Sequence, residues 1–409
     1  MKGTVGISAQ NKNATLPLAG IRVLDVSQVM AGPFCCMLLG DMGADIIKIE
    51  PPQIGDSTRH SMGFRLKGED SPGFLALNRN KRSIALDLKN AADRDVLYAL
   101  VKTADVVVEN ARPGVADRLG MGYETLCAIN PRLVYASISG FGHTGPWAQR
   151  PGFDLIAQAM SGVLSATGLS GHEPVKTGIP VGDLGAGLFA TYGILSALLG
   201  REKSGQGQFI DASLLEAALG LSVWETTELW GTGKSPQPIG SANRMSAPYQ
   251  AVEASDGYFV IGAANQKLWL TFLEVVGRPE FHSDPRFATN ALRVVNRVEL
   301  IEALKPTFAQ RTVHEWVEAL LAAGVPAGPI YNYEEALASD HVAAREMVIN
   351  VPHPVEGTFR ALGFPVKMRG TPQQVRFPPP LLDEHGDEIR RELIEKGLLP
   401  SAGQQAVAR

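Results

Sequence analysis

Cysteine is scarce in this chain of 409 residues: only Cys35, Cys36 and Cys127 occur. With no CxxC pair and no histidine at metal-ligand spacing, they supply neither a disulfide framework nor a metal site, and they read as small apolar packing residues. A surplus of positive charge is missing too. Lys and Arg total 38 against 42 Asp and Glu, a net charge of -4. No basic block stands out, so there is no electrostatic case for DNA or RNA, although a basic pocket can still form locally. No uninterrupted apolar run reaches the ~18 residues of a membrane span. Residues 1–16 are polar and lack the apolar core of a signal peptide. These absences point to a reduced, cytoplasmic setting, or an organelle matrix at most. What is present is 45% hydrophobic and 20% charged, the composition of a soluble globular chain whose length divides into two or three domains.

Short apolar runs alternate with helical ones. Residues 21–26, 45–50, 83–88, 105–109 and 133–138 read as buried strands, with helices over 34–42 and 93–101. That alternation predicts an α/β fold, a Rossmann-like, mostly parallel sheet covered on both faces, whose ligands bind at the carboxyl ends of the strands. Ser213 and Glu216 fit a capping box opening a further helix. Composition shifts past Trp230: 231–248 is rich in Gly, Ser, Pro and Asn and reads as a linker. A hairpin over 249–262 follows, turning at Ser255-Asp256-Gly257, then helices over 267–276, 297–309 and 313–323. The expected domains are a large Rossmann-like domain beginning with 1–230, a small α+β domain over 231–330, and a segment over 331–409 returning to the large domain.

Two nucleotide-motif lookalikes fail on context. Gly140-Phe141-Gly142-His143-Thr144-Gly145 matches GxGxxG after a strand, but Pro146 and Pro151 follow where a helix should begin. Gly233-Lys234-Ser235 resembles the end of a P-loop, yet Glu228 stands where the first Gly belongs and Pro236 breaks the helix.

The residue most suggestive of chemistry is Asp183, set among Gly182, Gly185 and Gly187 ahead of the long apolar run 188–199. Such a carboxylate sits where loop gives way to helix, facing free N–H groups and the positive end of the dipole, and is expected to stay ionised. An ordinary N-cap would also be Asp. It would not need three glycines, which permit close approach of another molecule.

Several separated motifs carry a family likeness: 17–25, Ala31-Gly32-Pro33, Leu39-Gly40-Asp41-Met42-Gly43-Ala44-Asp45 through Glu50, Asn78-Arg79-Asn80-Lys81-Arg82-Ser83, Val108-Glu109-Asn110 with Pro113-Gly114, and Gly205-Gln206-Gly207-Gln208. Together they resemble the class III CoA-transferases, the group of formyl-CoA transferase and carnitine CoA-transferase, from about residue 17 to 368. The likeness is closest to transferases that move CoA between dicarboxylic acids, with succinyl-CoA as donor.

The resemblance implies that Asp183 is the catalytic aspartate, acylated to a mixed anhydride and then converted to an aspartyl-CoA thioester, with CoA (as acyl-CoA) the co-substrate and no metal. It also implies a CoA site of Leu86, Lys89, Asn110, Ala111, Arg112, Arg118, Ser139, Gly140, Phe141 and Gly142. Backbone N–H groups of Gly185 and Gly187 are candidates for an oxyanion hole, though both could equally be packing glycines. Relatives cover the site with a glycine-rich segment; here Gly240-Ser241-Ala242-Asn243-Arg244-Met245 stands there, so Asn265 and Gln266 become the candidate lid contacts. Met30 and Pro51 replace a glutamine and an arginine of formyl-CoA transferase. The implied assembly is an interlocked homodimer.

Two alternatives stand beside the transferase. One is a 2-methylacyl-CoA racemase of the same fold. It needs a histidine before an aspartate where this chain has Phe153-Asp154, and Phe cannot exchange a proton. The other is a non-catalytic acyl-CoA binder, for which an unpaired nucleophile has no use. Of the dispersed histidines, only His143 lies close to the implied CoA loop.

Overall fold

The computed structural model describes residues 15–61 and 64–400. These fall into two compact units: one holds the described residues up to Val163, Thr177–Trp224 and those from Ala343, the other Leu164–Lys176 and Glu225–Val342.

The first unit is built on strands β1 (Arg22–Asp25), β2 (Asp45–Glu50), β3 (Lys81–Ala85), β4 (Val106–Glu109), β5 (Val134–Ser139) and β6 (Phe209–Ser213). All neighbours are parallel, in the order β3-β2-β1-β4-β5-β6. This is the doubly wound order whose connections reverse between β1 and β4, opening a crevice at the carboxyl ends there. β4 and β5 are buried along their whole length, which is why Val106, Val107 and Val108 can be an unbroken β-branched run. Val106 and Val108 face one core with Val23, Cys36 and Ile46, whereas Val107 faces the other with Leu24, Ile47 and Leu97.

Helices α1 (Ala31–Asp41), α2 (Ala91–Val101), α3 (Asp154–Met160), α4 (Val181–Ser204) and α5 (Leu214–Leu221) cover the sheet. α4 packs against α1, α5, β5 and β6, presenting Ala186, Ala190, Ile194 and Ala197 to the core at helical spacing. It ends at Gly205, whose left-handed φ of 72° lets its N–H return to the Arg201 carbonyl. Among the described residues α4 alone is long and apolar enough to cross a membrane. The sequence reading missed this because glycines, Thr191 and Tyr192 interrupt the apolar run; its contacts make it a core helix of this unit.

Charge is buried between the first strands. Asp25, Lys48 and Lys81 have no solvent exposure, and Asp25 and Lys48 are partners in register across β1 and β2. Lys81 Nζ donates to Asp25 Oδ2 at 2.8 Å, to Asn78 Oδ1 at 2.8 Å and to the Pro33 carbonyl at 2.9 Å. Lys48 Nζ donates to the Ser27 carbonyl at 3.0 Å and pairs with Asp56 Oδ2 at 3.0 Å. Burial alone would push the Asp25 carboxyl up, but the two ammonium groups and hydrogen bonds from Lys81 and Ser27 outweigh it and hold it at about 2.

The second unit is α+β: a hairpin of β7 (Tyr249–Glu253) and β8 (Tyr258–Gly262), joined by β9 (Ala327–Pro329). Helices Gln266–Val276, Arg297–Phe308 and Val313–Ala322 pack on it around Trp269, Phe272, Phe308 and Trp316. Two regions differ from the sequence expectation. β6 is a sixth strand, hidden because an edge strand of alternating, partly exposed residues shows no apolar run. The proline-dotted tail carries a second hairpin, β10 (Val348–His353) with β11 (Gly357–Leu362), and a helix Gly386–Glu395 whose Ile389 and Leu393 enter the sheet core.

Lys81→Met leaves Asp25 with Lys48, at 3.8 Å, as its one ammonium partner among the described residues. The expected destabilisation is about 3–5 kcal/mol, read by urea unfolding. Since Asp25 titrates lower when folded, its contribution is complete above the unfolded carboxyl range and disappears as pH falls toward 2.

Candidate active site

Loops leaving the carboxyl ends of β1, β4 and β5 meet at the reversal point around a pocket of about 310 Å³, and Asp183 lines it with them. Each wall has its own fastening. The β1 loop supplies Val26, Gln28, Val29 and Met30. Gln28 N donates to Asn110 Oδ1 at 2.8 Å and Asn110 Nδ2 returns to the Gln28 carbonyl at 2.7 Å, joining this loop to the one after β4. Val29 sits at φ 71°, a left-handed backbone that a β-branched residue rarely adopts, with its N–H held by Asp56 Oδ1 at 3.1 Å. A Cβ on Gly32 would lie 2.2 Å from Ser27 Cβ, so the Ala31-Gly32-Pro33 motif is needed where α1 starts beneath this loop.

The β4 loop supplies Asn110, Ala111, Arg112 and Pro113. Beneath it Glu109 Oε2 accepts the Ala111 N–H at 2.7 Å. Burial pushes the Glu109 carboxyl up to about 7, against the lowering effect of the Ser137 hydroxyl and that N–H. After β5 come Ser139 and Gly140. Ser139 Oγ accepts the Gly142 N–H at 2.9 Å, Gly142 has φ 83°, and His143 bonds Ser137 Oγ through Nε2 at 2.6 Å. The GxGxxG lookalike is therefore a tight turn with no helix behind it, and His143 is a supporting residue of that turn.

Asp183 lies in the first turn of α4, whose preceding residue, Pro180, makes no side-chain cap. The cap comes from another helix: Asp154 Oδ1 accepts from Gly182 N at 2.8 Å and Asp183 N at 3.2 Å. Burial, then the Asp154 charge, push the Asp183 carboxyl up to about 6. The expectation of a helix-stabilised carboxylate is thus corrected in its cause and direction: Asp154 takes the N–H groups that would have lowered it. At neutral pH the ionised form still dominates.

Of the CoA residues implied by resemblance, Asn110, Ala111, Arg112, Ser139 and Gly140 line the pocket. The others do not. Leu86 is in the core beside Ile84 and Leu97, Phe141 is buried with its ring edge-on to Trp147, and Gly142 serves the turn. Lys89 and Arg118 are exposed beyond β3 and β4. Gly185 and Gly187 are corrected as oxyanion candidates. They lie past the first turn, where N–H groups are used by the helix itself. A Cβ would meet Leu221 Cδ1 at 3.0 Å from Gly185 and the Ala31 carbonyl at 2.8 Å from Gly187, so both are packing glycines. Asn265 caps the helix Gln266–Val276, and Gln266 is bonded to the Ala288 carbonyl and Arg293, so both side chains serve the second unit's own fold.

Sequence reasoning missed Asp154, Arg150 and Gln28 as site residues. Arg150 and Phe153 line the pocket, with Phe153 71% exposed. A cap that reaches Asp183 from 29 positions away leaves no local sequence signal.

The model of CoA-transferase family III matches residues 18–386. The chain belongs to CoA-transferase family III. Among similar proteins, succinyl-CoA:glutarate CoA-transferase of Homo sapiens is 37% identical over 390 residues, covering 95% of this chain and 89% of the relative. Acetyl-CoA:oxalate CoA-transferase of Acetobacter aceti is 41% identical, covering 92% and 95%. A crystal structure of a CAIB/BAIF family protein from Brucella suis, 38% identical, superposes with a TM-score of 0.82 over 93% of this chain and all of that one. The protein is accordingly an enzyme of the CoA-transferase class, acting on CoA thioesters.

Gly187→Ala separates packing from catalysis in this family member. We expect a loss of about 1–3 kcal/mol, because the added methyl overlaps the α1 backbone. Thermal unfolding reads it; a variant with unchanged stability and lost turnover would restore the oxyanion role.

Proposed function

We propose that this enzyme transfers CoA from succinyl-CoA to a small carboxylic acid, a dicarboxylic one by preference, with Asp183 as covalent carrier. The observation carrying the reading is the place of Asp183: a partly buried carboxylate that α4 contributes to the pocket lining, at the sheet's reversal point. The names of the relatives, a glutarate and an oxalate transferase among them, favour the dicarboxylic acceptor.

In this reading an Asp183 oxygen attacks the thioester carbonyl and the C–S bond breaks, giving a mixed anhydride and CoA thiolate. The thiolate attacks the aspartyl carbonyl, releasing the donor acid as carboxylate and leaving an aspartyl-CoA thioester. The acceptor carboxylate attacks that thioester and expels thiolate. Attack of the thiolate on the acceptor acyl carbonyl then gives the new thioester and regenerates Asp183. No proton is consumed. Asn110, Ala111, Arg112, Ser139 and Gly140 hold the CoA end near the pocket, and Lys89 and Arg118, outside it, meet phosphates of a molecule longer than the cavity. A homodimer and a cytoplasmic setting belong to the same reading. The first is supported by exposed Leu188, Phe189, Tyr192 and Leu199 along α4, the second by free, unpaired cysteines. Racemisation is disfavoured by Phe153, which cannot carry a proton.

Incubation with succinyl-CoA and hydroxylamine should place a hydroxamate on Asp183, found by peptide mass mapping. Asp183→Ala should lose ~10³-fold or more in kcat while still binding CoA. A wild-type enzyme with no adduct there, or an active alanine variant, sinks the assignment. Because the nucleophile is the ionised form, kcat/KM should rise with pH through an acid limb near 6.

A further inference from the structure

The N-terminus of α4 does hold a carboxylate, but not its own. Asp154 opens α3, and its Oδ1 accepts from Gly182 N and Asp183 N. Its Oδ2 accepts from Gln158 Nε2 at 2.6 Å, and Gln158, fully buried, accepts in turn from the N–H and hydroxyl of Thr177 at 3.0 and 3.1 Å. One fixed anion is thereby aimed at the turn that carries Asp183. Resting on the reading of Asp183 as nucleophile, we propose that Asp154 is a positioning residue for it. By occupying both N–H donors and contributing its own negative charge, it leaves the Asp183 carboxylate short of donors and turned to the pocket.

A cap serving stability alone needs no charge, since Asn and Ser cap as well as Asp. A charged cap beside a second carboxylate costs Coulomb energy in the resting enzyme, and that energy is relieved when Asp183 is acylated and becomes neutral. The anhydride and thioester are both neutral at Asp183, so the repulsion assists the first bond-forming step and opposes none of the intermediates.

The other ionisable groups around the two carboxylates are otherwise engaged or distant in character. Arg112 and Arg150 line the same pocket from exposed positions. On β6 and α5, Asp211 accepts the His143 N–H and Glu216 accepts the Ser213 hydroxyl. On α1, Cys35 and Cys36 are buried thiols pushed up by desolvation, and Asp41 is paired with Arg79. Tyr135 of β5 donates to the Met121 carbonyl. Burial and Asp154 are what raise Asp183.

The test is the pH profile of kcat/KM in Asp154→Asn, which keeps an acceptor for both N–H groups and removes the charge. The acid limb should move to lower pH than in the wild type, and kcat above the limb should fall ~10-fold as the carboxylate becomes a weaker nucleophile. Hydroxylamine trapping at Asp183 should persist. An unmoved limb, with or without a fall in kcat, marks a structural cap and overturns the proposal while trapping keeps the nucleophile assignment intact. Absence of the adduct in the wild type overturns the underlying reading instead. The new amide forces the Gln158 side chain to rotate, so Asp154→Ser, smaller and uncharged, is the second variant if the first does not fold, with the same two outcomes.

Discussion

Asp25, Lys48 and Lys81, one from each of three adjacent strands and none exposed to solvent, set the geometry on which the pocket depends. Ions buried this deeply are tolerated only when every charge is paired and the remaining donors are used. Here the remaining donors reach main-chain carbonyls: Lys48 to Ser27, Lys81 to Pro33. The first fixes the loop leaving β1, the second the start of α1. Asp56, the other partner of Lys48, holds Val29 in its left-handed conformation. The pocket wall thus inherits its shape from an ion network inside the sheet, and the strained Val29 persists because its surroundings over-determine it.

Around Asp183 two effects of opposite sign compete. A helix N-terminus favours an anion by about 0.3–1 kcal/mol, whereas each pKa unit is worth about 1.4 kcal/mol and the carboxyl stands at about 6. Burial and a neighbouring carboxylate therefore win, because the helix has already given its N–H groups to Asp154. The role proposed for Asp183 is served by this outcome, since a carboxylate fully satisfied by N–H donors is a poor nucleophile.

The sheet was legible because its central strands are buried on both faces, so Val106 to Val108 had to be continuous and apolar. β2 was read to the residue for the same reason. The hairpin over β7 and β8 followed from its Asp256-Gly257 turn. β6 and the β10–β11 hairpin were not legible, since partly exposed edge strands need no apolar run. In the site, Asp183 stood out through its glycines, yet two of those glycines turned out to serve contact with neighbouring helices. Both roles demand the absence of a side chain, and sequence cannot distinguish them. Long-range partners were the other gap: nothing near Asp154 in the chain announces what it holds.

Net charge also proved a poor guide to the pocket. A chain of formal charge -4 still sets Arg112 and Arg150 on the pocket wall and Arg118 just beyond it on the segment after β4. Screening confines each charge to a Debye length of about 8 Å at physiological salt, so a polyanion arriving at this crevice meets those guanidiniums and not the surplus acids elsewhere. One acid close to the pocket, Glu109, is muted in a different way. Glu109 sits beneath the β4 loop with its carboxyl raised to about 7 by burial, and so carries only part of a charge near neutrality. On the role proposed for Asp183, an anionic thioester meets Arg112 and Arg150 on the same pocket wall that carries the attacking carboxylate.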